Sequence, residues 1–383
     1  MSSLIYLDNA ASTPCDPRVI EEILPYLFEN FANPSNTTNS MGKFANHAIE
    51  SARSKVGCML NCLPQKIIWT SGATEANNIA IQGVLKKYRK KKPTSKPHII
   101  VSSIEHKSVL ETVKSLSNIE ISFIEPDSNG ITHFEDFENS ITSNTFFASI
   151  MFANNELGTI NDIVKFSEIC QRRGVLFHTD ATQIVGKIPI DVTKLKIDFL
   201  SFSGHKIYAP KGVGALFVKD FSALSPINLG GGHENGFRPG TLNVSGIVGM
   251  GKACDLCSEN QKDEYHRINQ LRDYFEKELV KLNDKIIING INSIRVPNIS
   301  NITFPVKRGY NIIKYFDFIA CSSGSACDTP DNTHSHVLNR IGKSMHEAKN
   351  TIRFSLGRFT TEKEINLALN HIMNVIKTEN LLN

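Results

Sequence analysis

The sequence predicts an α/β protein built around a mostly parallel β-sheet with helices on both of its faces. Short apolar runs alternate with segments of helical periodicity through the first two thirds of the chain, which is the pattern of repeated strand and helix units. Several runs are almost continuously apolar, as expected for strands covered on both faces. The length of 383 residues exceeds what one hydrophobic core usually serves, so a smaller second domain is also predicted.

An amphipathic helix is predicted directly after the first strand of this pattern. Within residues 74–86, five small or apolar residues recur at the spacing of one helix face, namely Ala76, Ile79, Ala80, Gly83 and Val84. The strands themselves are predicted at 67–69, 98–102, 146–152, 175–178, 199–203 and 214–218.

The pattern changes near Cys257, where a long helical segment begins with many charges between its apolar residues. Short strand signals, KIIING and SNITFP, come next, and a final amphipathic helix closes the chain. We therefore predict a smaller α+β domain from about residue 259 onward. The apolar stripes of the two helices are Ile268, Leu271, Phe275, Leu279 and Leu282 in the first, and Ile365, Leu369, Ile372 and Ile376 in the last.

Composition excludes several classes of protein. No apolar run reaches the roughly 20 residues that span a bilayer, and the amino-terminal MSSLIYLDNAASTP lacks the regions of a secretory signal. We therefore expect a soluble cytoplasmic protein. Eight cysteines are too sparse for a disulfide scaffold, and the isolated pair Cys254 and Cys257 is expected in a helix interior rather than at a metal.

One local charge feature lies between Lys86 and Lys96, where seven basic residues occur without an acidic one. Such a run usually forms a solvated helix end. Direct contact with a nucleic acid is the alternative interpretation.

Polar residues follow five of the predicted strands at the point where each strand ends. The segments are TSGATEANN, IEHKS, ANNELG, TDATQ and SGHK. Ligands of open α/β sheets bind at the carboxyl ends of the strands. These five segments are therefore predicted to form one site.

The first segment, SGATEANN, has the features of a phosphate site. A glycine turn opens a helix there, and the free N–H groups and positive dipole end of a helix hold anions. The spacing is neither that of a Walker A loop nor G-x-G-x-x-G, so the phosphate is not expected to belong to a nucleotide.

Two further residues predict which phosphate compound binds. Asp180 ends an apolar strand, where a buried carboxylate needs a cation or donors, and a protonated pyridine nitrogen is such a partner. Lys206 supplies an amine for an aldehyde, while Ser203 and His205 lie within reach of the phosphate. A phosphate site, a carboxylate and a lysine together predict pyridoxal phosphate.

Nine motifs carry a resemblance to a known family from residue 6 to residue 361. They are, in order, YLDNAASTPCDPRV, SGATEANN, EHKSVL, NNELGTI, HTDATQ, SFSGHKIYAPKG, GGGHENGFRPGTLN, SSGSAC and IRFSLGRFTT. The chain resembles the group I cysteine desulfurases of the NifS/IscS type, which are class V members of the fold-type I pyridoxal-phosphate enzymes. The resemblance implies a large cofactor-binding domain at 16–258 with a seven-stranded sheet, and a smaller domain at 1–15 and 259–383 that carries a cysteine loop.

The same resemblance implies a role for each matching residue of the cofactor site. His106 would also take part in catalysis, and Thr241 would reach the phosphate of the partner subunit, which implies a homodimer. The implied contacts are Lys206 on the aldehyde, Asp180 on the ring nitrogen, His106 on the ring face, Asn155 and Gln183 near the ring oxygen, and Ala73, Thr74, Ser203 and His205 on the phosphate.

The substrate contacts implied are Arg353, for which a bidentate grip on a carboxylate suits the guanidinium, and Asn33 and Asn155. The loop around Asn33 reads NPSNTTNSMG, one residue longer than the family pattern and without its histidine.

Cys327 is the residue on which the implied reaction depends. It follows the small polar run SSGSA, which does not suit a core strand, whereas Cys321 ends an apolar run and is expected to pack. The resemblance implies that L-cysteine becomes L-alanine while Cys327 accepts the sulfur as a persulfide and passes it to an acceptor protein. His334 and His336 stand in place of common family residues and receive no role.

The downstream pathway stays open between sulfur supply for iron–sulfur clusters or tRNA thiolation and DNA phosphorothioation. The basic run at 86–96 slightly favours DNA phosphorothioation. Among other functions, a selenocysteine lyase or a class V aminotransferase would share the cofactor site without needing Cys327. A nucleic-acid-binding protein on a decayed scaffold would bind in a salt-dependent way and lack a Lys206-dependent absorbance.

Overall fold

The computed structural model describes residues 4–323 and 335–382, which contain a seven-stranded, a four-stranded and a two-stranded β-sheet, the last made by Ile5–Tyr6 and Ile319–Ala320. The strands are β1 (Ile5–Tyr6), β2 (Ile67–Thr70), β3 (His98–Ser102), β4 (Glu120–Ile124), β5 (Thr145–Ser149), β6 (Leu176–Asp180), β7 (Phe199–Ser203), β8 (Gly214–Val218), β9 (Ile287–Ile288), β10 (Ile299–Thr303), β11 (Ile319–Ala320), β12 (Ser322–Ser323) and β13 (Thr351–Ser355). The helices are α1 (Pro17–Ile23), α2 (Pro25–Phe28), α3 (Ser40–Leu60), α4 (Ala73–Lys91), α5 (Lys107–Lys114), α6 (Phe134–Asn139), α7 (Ile163–Arg173), α8 (Val192–Leu195), α9 (Val244–Val280), α10 (His336–Arg340), α11 (Met345–Lys349) and α12 (Glu362–Thr378).

The large sheet has seven strands in the order β2-β8-β7-β6-β5-β3-β4. Strands β4, β3, β5, β6 and β7 run parallel to one another, and β8 is antiparallel to both β7 and β2. Consecutive parallel strands need crossover connections, and α5, α6 and α7 lie in those connections. The predicted α/β fold class with a mostly parallel seven-stranded sheet is confirmed.

The predicted strands all occur, and β3, β7 and β8 have the predicted bounds. The sequence pattern missed β4 at the edge of the sheet. Only Ile124 of this strand is buried, so its sequence lacks the continuous apolar run that marked the central strands.

Helices cover both faces of the large sheet, as its apolar strands require. On one face α4 places Ile79 and Val84 in a core with Ile99 and Phe147 of the sheet. The other face is covered by α3 and the first half of α9. The sheet edge that holds the strand ends is therefore the part left open to a ligand.

The smaller sheet has the order β12-β13-β10-β9 and is antiparallel throughout. Its buried face packs on the second half of α9 and on α12, with the rings of Phe275 and Phe354 5.0 Å apart. The predicted apolar positions of α12 are all buried, which confirms the final amphipathic helix.

One continuous helix joins the two cores. The 37 residues of α9 bury Met250 and Cys254 in the core of the large sheet, and Ile268 and Phe275 in the core of the smaller one. The predicted boundary at 258/259 therefore falls inside a helix, between the parts that serve the two cores. The division into domains at 16–258 and at 1–15 with 259–383 stays a prediction.

The basic run forms the last turn of α4 and the turn after it. Lys86 and Lys96 are both exposed, and the positive charges lie at the negative end of the helix dipole. This confirms the predicted solvated helix end. Among the described residues, no helix combines the length and apolarity needed to span a membrane.

We expect Phe354→Ala to lower the free energy of unfolding by about 3–5 kcal/mol, because a fully buried ring is removed between two other rings. Urea denaturation followed by circular dichroism measures the change. The matched control is Leu367→Ala on the exposed face of α12, which should alter the midpoint little. Equal midpoints for the two variants would contradict a tightly packed core at Phe354.

Candidate cofactor and substrate site

Ten of the residues predicted for the site line one cavity of about 190 Å³ at the carboxyl ends of the parallel strands. A cavity this large exceeds the space of a few water molecules and suits a small ligand. Met151, Ala153 and Thr182 complete much of its wall. The ten are Ala73, Thr74, His106, Asn155, Asp180, Gln183, Ser203, His205, Lys206 and Arg353.

One end of the cavity is formed by the start of α4. Gly72 precedes this helix and provides no side-chain cap; among the described residues, Ser203 Oγ accepts from Ala73 N at 2.7 Å. Gly214 of β8 lies so close that an added Cβ would be 2.5 Å from Gly72 Cα. The N–H groups of a first helical turn suit an anion, and the predicted phosphate site at this end of the cavity stays a prediction.

His205 lies beside this end with Nδ1 3.3 Å from Ser12 Oγ. Burial, with the nearby charges of Lys206 and Lys211, lowers the pKa of His205 to about 4. The ring is therefore neutral at pH 7, and one of its nitrogens donates a hydrogen bond.

At the opposite end lies Asp180, which is 5% exposed. Its Oδ2 accepts a hydrogen bond from Asn77 Nδ2 at 2.8 Å and its Oδ1 from Thr182 N at 2.9 Å. Within the described parts of the chain, no lysine, arginine or histidine forms an ion pair with Asp180. A buried carboxylate that has no ion pair and faces a cavity suits a cationic ligand group.

His106 caps the amino terminus of α5, with Nδ1 accepting from Ser108 N at 3.1 Å. A backbone N–H group only donates, so the proton of the neutral ring lies on Nε2. Burial lowers the pKa of His106, which favours this neutral form. Ser108 Oγ also accepts from Asn77, so one asparagine links His106 to Asp180.

The Lys206 amine is held by main-chain oxygens at the other side of the cavity. It donates to Ala10 O at 2.5 Å and to Ala11 O at 2.6 Å. The amino-terminal segment is itself fixed by a hydrogen bond from Thr13 N to His205 O at 2.9 Å. Lys206 thus lies in a short helical turn, residues 204–206, and these hydrogen bonds tie the turn to residues 10–13.

Arg353 on β13 is 3% exposed and forms the wall that comes from the smaller sheet. Its Nη1 donates to Asn155 O at 2.9 Å and its Nη2 to Asp8 Oδ1 at 2.9 Å. Its Nε has no hydrogen-bond partner in residues 4–323 and 335–382. Arg353 lines the cavity, and a guanidinium is suited to a carboxylate.

Two predicted residues, Asn33 and Thr241, do not line this cavity. Asn33 is exposed and accepts from Ser35 N at 2.9 Å, and Thr241 is exposed on the surface of the chain. Cys327 lies outside the described residues, as does His334. The roles of Asn33, Thr241 and Cys327 stay predictions. Cys321 is largely buried, as expected, and burial raises the pKa of its thiol to about 12.

Several further residues of the site lie in the motifs but have no role predicted from the sequence. Asp8 fixes the Arg353 guanidinium, and Asn77 joins His106 to Asp180. Ala10 and Ala11 act through carbonyl oxygens, which no side-chain pattern reveals. Of these four residues, Asp8 and Asn77 could have been predicted from the sequence. Asp8 is a polar residue between apolar ones in YLDNAA, and Asn77 is a polar residue on the buried stripe of α4; such residues need a hydrogen-bond partner.

Comparisons with known proteins agree with this site. A family model described as Aminotransferase class-V matches residues 5–367. The chain is 43% identical over 369 residues to Cysteine desulfurase IscS of Methylobacillus flagellatus, which covers 95% of this chain and 90% of that protein. The chain belongs to the class-V aminotransferase family, among its cysteine desulfurases. The resemblance noted in the sequence is therefore confirmed.

Solved structures of this family superpose over nearly the whole chain. A NifS-like protein gives a TM-score of 0.90 at 35% identity and covers 98% of this chain and 100% of its own. A structure described as SspA in complex with cysteine gives 0.83 at 36% identity, with 93% and 99% covered. The cofactor of this cysteine desulfurase family is pyridoxal phosphate.

The cavity of this cysteine desulfurase fits that cofactor. The helix start would suit a phosphate, Asp180 would suit a protonated ring nitrogen, and the Lys206 amine lines the same cavity and would suit an aldehyde. Two buried oxygens, Thr182 Oγ1 and Gln183 Oε1, have no partner among the described residues. Unsatisfied polar groups that line a cavity indicate contacts with a ligand.

Stability should depend on pH through His178, which lies on β6 two residues before Asp180. Burial lowers the pKa of His178 from 6.5 to about 4 in the folded state. The unfolded chain therefore binds a proton first, and the free energy of unfolding should fall as the pH falls from about 6.5 to about 4. We expect His178→Asn to flatten this dependence in urea denaturation at several pH values.

The control for this experiment is His47→Gln, which changes an exposed histidine on α3. It should keep the slope of the parent protein. An unchanged slope in His178→Asn would show that other groups govern acid sensitivity.

Proposed function

We propose that this protein is a cysteine desulfurase that converts L-cysteine to L-alanine, stores the sulfur as a persulfide on Cys327 and hands it to an acceptor. The observation that carries the proposal is the convergence of Lys206, Asp180, His106 and Arg353 on one cavity. These groups serve an amino acid bound to an aldehyde cofactor, since an amine, a carboxylate, an imidazole and a guanidinium each meet a different part of it.

Substrate recognition rests on Arg353 in this proposal. Its guanidinium binds the α-carboxylate of L-cysteine, while Asp8 and the Asn155 carbonyl hold that guanidinium in place. Asn155 lines the same wall, and Asn33 is proposed as a second contact to the substrate.

Proton movement rests on the lysine and the neutral histidine. Pyridoxal phosphate, when bound, supplies an electron-accepting ring. The Lys206 amine would hold the aldehyde until the amine of L-cysteine replaces it, and the released amine would then move the α-proton of the substrate. Asp180 would keep a proton on the ring nitrogen. His106 covers the ring face with a proton on Nε2, as its bond from Ser108 N requires.

Sulfur transfer rests on Cys327. Its thiolate attacks the substrate sulfur, so that a sulfur–sulfur bond forms, the carbon–sulfur bond breaks and the electron pair of that bond stays on the alanine fragment. The persulfide sulfur then passes to the thiol of an acceptor protein.

The two ends of the Cys327 segment support this assignment. Before it, Ser322 Oγ accepts from Arg353 Nη2 at 3.1 Å, and after it, Ser335 Oγ is 2.5 Å from Glu156 Oε2, next to Asn155. Both ends therefore lie at the cavity wall. Four residues of extended chain span at most about 14 Å, so Cys327 can reach the cavity from Ser323.

A homodimer is part of the proposal. Thr241 is exposed, as a residue that completes the phosphate site of a second copy must be. Residues 20–31 expose a run of apolar side chains, which indicates an interface. Its members are Ile20, Leu24, Leu27, Phe28 and Phe31. The acceptor belongs to iron–sulfur assembly, tRNA thiolation or DNA phosphorothioation.

Cys327→Ala should keep the visible absorbance of the cofactor bound through Lys206 but lower alanine formation from L-cysteine at least about 100-fold, because the sulfur has no nucleophile to accept it. Mass spectrometry should show one added sulfur on Cys327 of the parent protein. Cys58→Ala, which removes an exposed thiol on α3, is the control and should be fully active. Full activity in Cys327→Ala would favour a lyase or an aminotransferase.

Arg353→Lys should raise KM for L-cysteine about 10- to 100-fold, because a charge-assisted contact to the carboxylate is lost. Steady-state kinetics should show a smaller change in kcat. Arg340→Lys alters an exposed arginine and serves as the control. A variant with an unchanged KM would place the carboxylate elsewhere.

A further inference from the structure

Ser335 and His336, the first residues described after Cys327, form hydrogen bonds with loops of the large sheet. Ser335 Oγ donates a hydrogen bond to Glu156 Oε2 at 2.5 Å. His336 Nε2 lies 3.0 Å from Glu105 O. Glu105 directly precedes His106, and Glu156 directly follows Asn155. The polar attachments of Ser335 and His336 are therefore one residue away from two members of the cavity wall.

Apolar contacts reinforce the attachment. Val337 and Leu338 of α10 pack on Ile104 and Leu157, which belong to the loops after β3 and β5. This group of buried residues is separate from the cores of the two sheets. Its other members are Ile341 and Ala348. Helix α10 is thus docked on the same two loops that carry His106 and Asn155.

The hydroxyl group of Ser335 forms two hydrogen bonds. Its oxygen accepts from Leu338 N at 3.1 Å and so caps α10, while its hydrogen goes to Glu156. The side chain is 1% exposed, so water does not replace either partner. Loss of the hydroxyl would free the start of α10 and leave the Glu156 carboxylate without this donor.

Glu156 has an unusual electrostatic setting for a group that holds such a bond. Burial raises the pKa of Glu156 to about 7, while the bond from Ser335 and the charges of Arg353 and Lys107 act in the opposite direction. The carboxyl group therefore changes its charge near neutral pH. Its ionised form is the stronger acceptor for a hydroxyl.

We propose that Glu156 and Ser335 are positioning residues for sulfur transfer, because together they fix the point from which the chain departs toward Cys327 against the wall that holds Asn155 and His106. The inference rests on the proposed function. It adds a second fixed end to the Cys327 segment, whose other end is held by Arg353 and Asp8 through Ser322. A misplacement of about 1 Å in a reacting group costs about 100-fold in rate. We therefore expect loss of the anchor to slow the attack of the thiolate more than it weakens substrate binding.

The central experiment compares two readouts in the cofactor-loaded protein. One is the change in the cofactor absorbance when L-cysteine binds, and the other is the single-turnover rate of persulfide formation on Cys327, followed by mass spectrometry. In Ser335→Ala we expect the first to keep its amplitude and concentration dependence while the second falls about 10- to 100-fold.

The chain offers a matched control. Ser344 caps the next helix, α11, by the same kind of bond and also pairs with a glutamate, Glu347, but this site is exposed to solvent. Ser344→Ala should leave the persulfide rate within about twofold of the parent protein. This control separates the loss of a helix cap from the loss of the anchor to Glu156.

Glu156→Gln tests the anchor without removing its shape. The amide still accepts a hydrogen bond from Ser335 but does not ionise. The persulfide rate of the parent protein should rise through pH 7 with the ionisation of Glu156, in addition to the rise from the Cys327 thiol. In Glu156→Gln the component near pH 7 should be absent. The other groups facing this region are Arg353, Lys107, His106 and His336.

The outcomes separate the two proposals. A parent protein that binds L-cysteine but gains no sulfur on Cys327 overturns the proposed function itself. A Ser335→Ala protein that forms persulfide at the rate of Ser344→Ala overturns the anchor alone. Equal losses of L-cysteine binding and of persulfide formation in Ser335→Ala would also overturn it, because they indicate a general structural role. A Glu156→Gln protein with the pH dependence of the parent would do the same.

Discussion

The parallel direction of the central strands is the constraint on which the site depends. Strands β3, β5, β6 and β7 end at one edge of the sheet. The registers of the strand pairs determine how far each end projects, and in β6 and β7 Asp180 pairs with Ser201. Side chains that follow different strands are therefore delivered to one cavity, although about 100 positions separate His106 from Lys206. The one central strand of opposite direction, β8, brings Gly214 against Gly72 and closes the end where the phosphate is proposed to bind.

The amino-terminal segment couples the two sheets at this edge. Asn9 N donates to Ser355 O at 3.1 Å on β13, and the carbonyl groups of Ala10 and Ala11 receive the Lys206 amine. The strand that carries Arg353 and the turn that carries Lys206 are thereby held by one short stretch of chain. The bond between Asn9 and Ser355 joins two main-chain groups, whereas the bonds to Ala10 and Ala11 come from the Lys206 amine. Together they hold the proposed position of the cofactor aldehyde relative to that of the substrate carboxylate.

Burial controls the charges around the cavity. It lowers the pKa of His106 and His205 and raises the pKa of Glu105 well above its usual range, so burial favours the uncharged form of each group. When these three groups are uncharged, a few other fixed groups make the polar contacts of cofactor and substrate. They do so in a medium of low dielectric constant, where each contact is stronger than in water. Glu156 differs from the others, because its pKa of about 7 lets it change charge where the protein works.

The sequence alone determined the fold class, most central strands and the family, because continuous apolar runs, helical spacing and ordered motifs are local properties of the chain. It also predicted ten of the cavity residues, since each follows a strand of recognisable pattern or lies in a matching motif. Only the tertiary structure decided the half-exposed edge strand β4, the path of α9 through both cores, the carbonyl groups that hold Lys206, and the attachment of Ser335 to Glu156. These features depend on contacts between distant residues or on main-chain atoms, and neither leaves a periodic signal in the sequence.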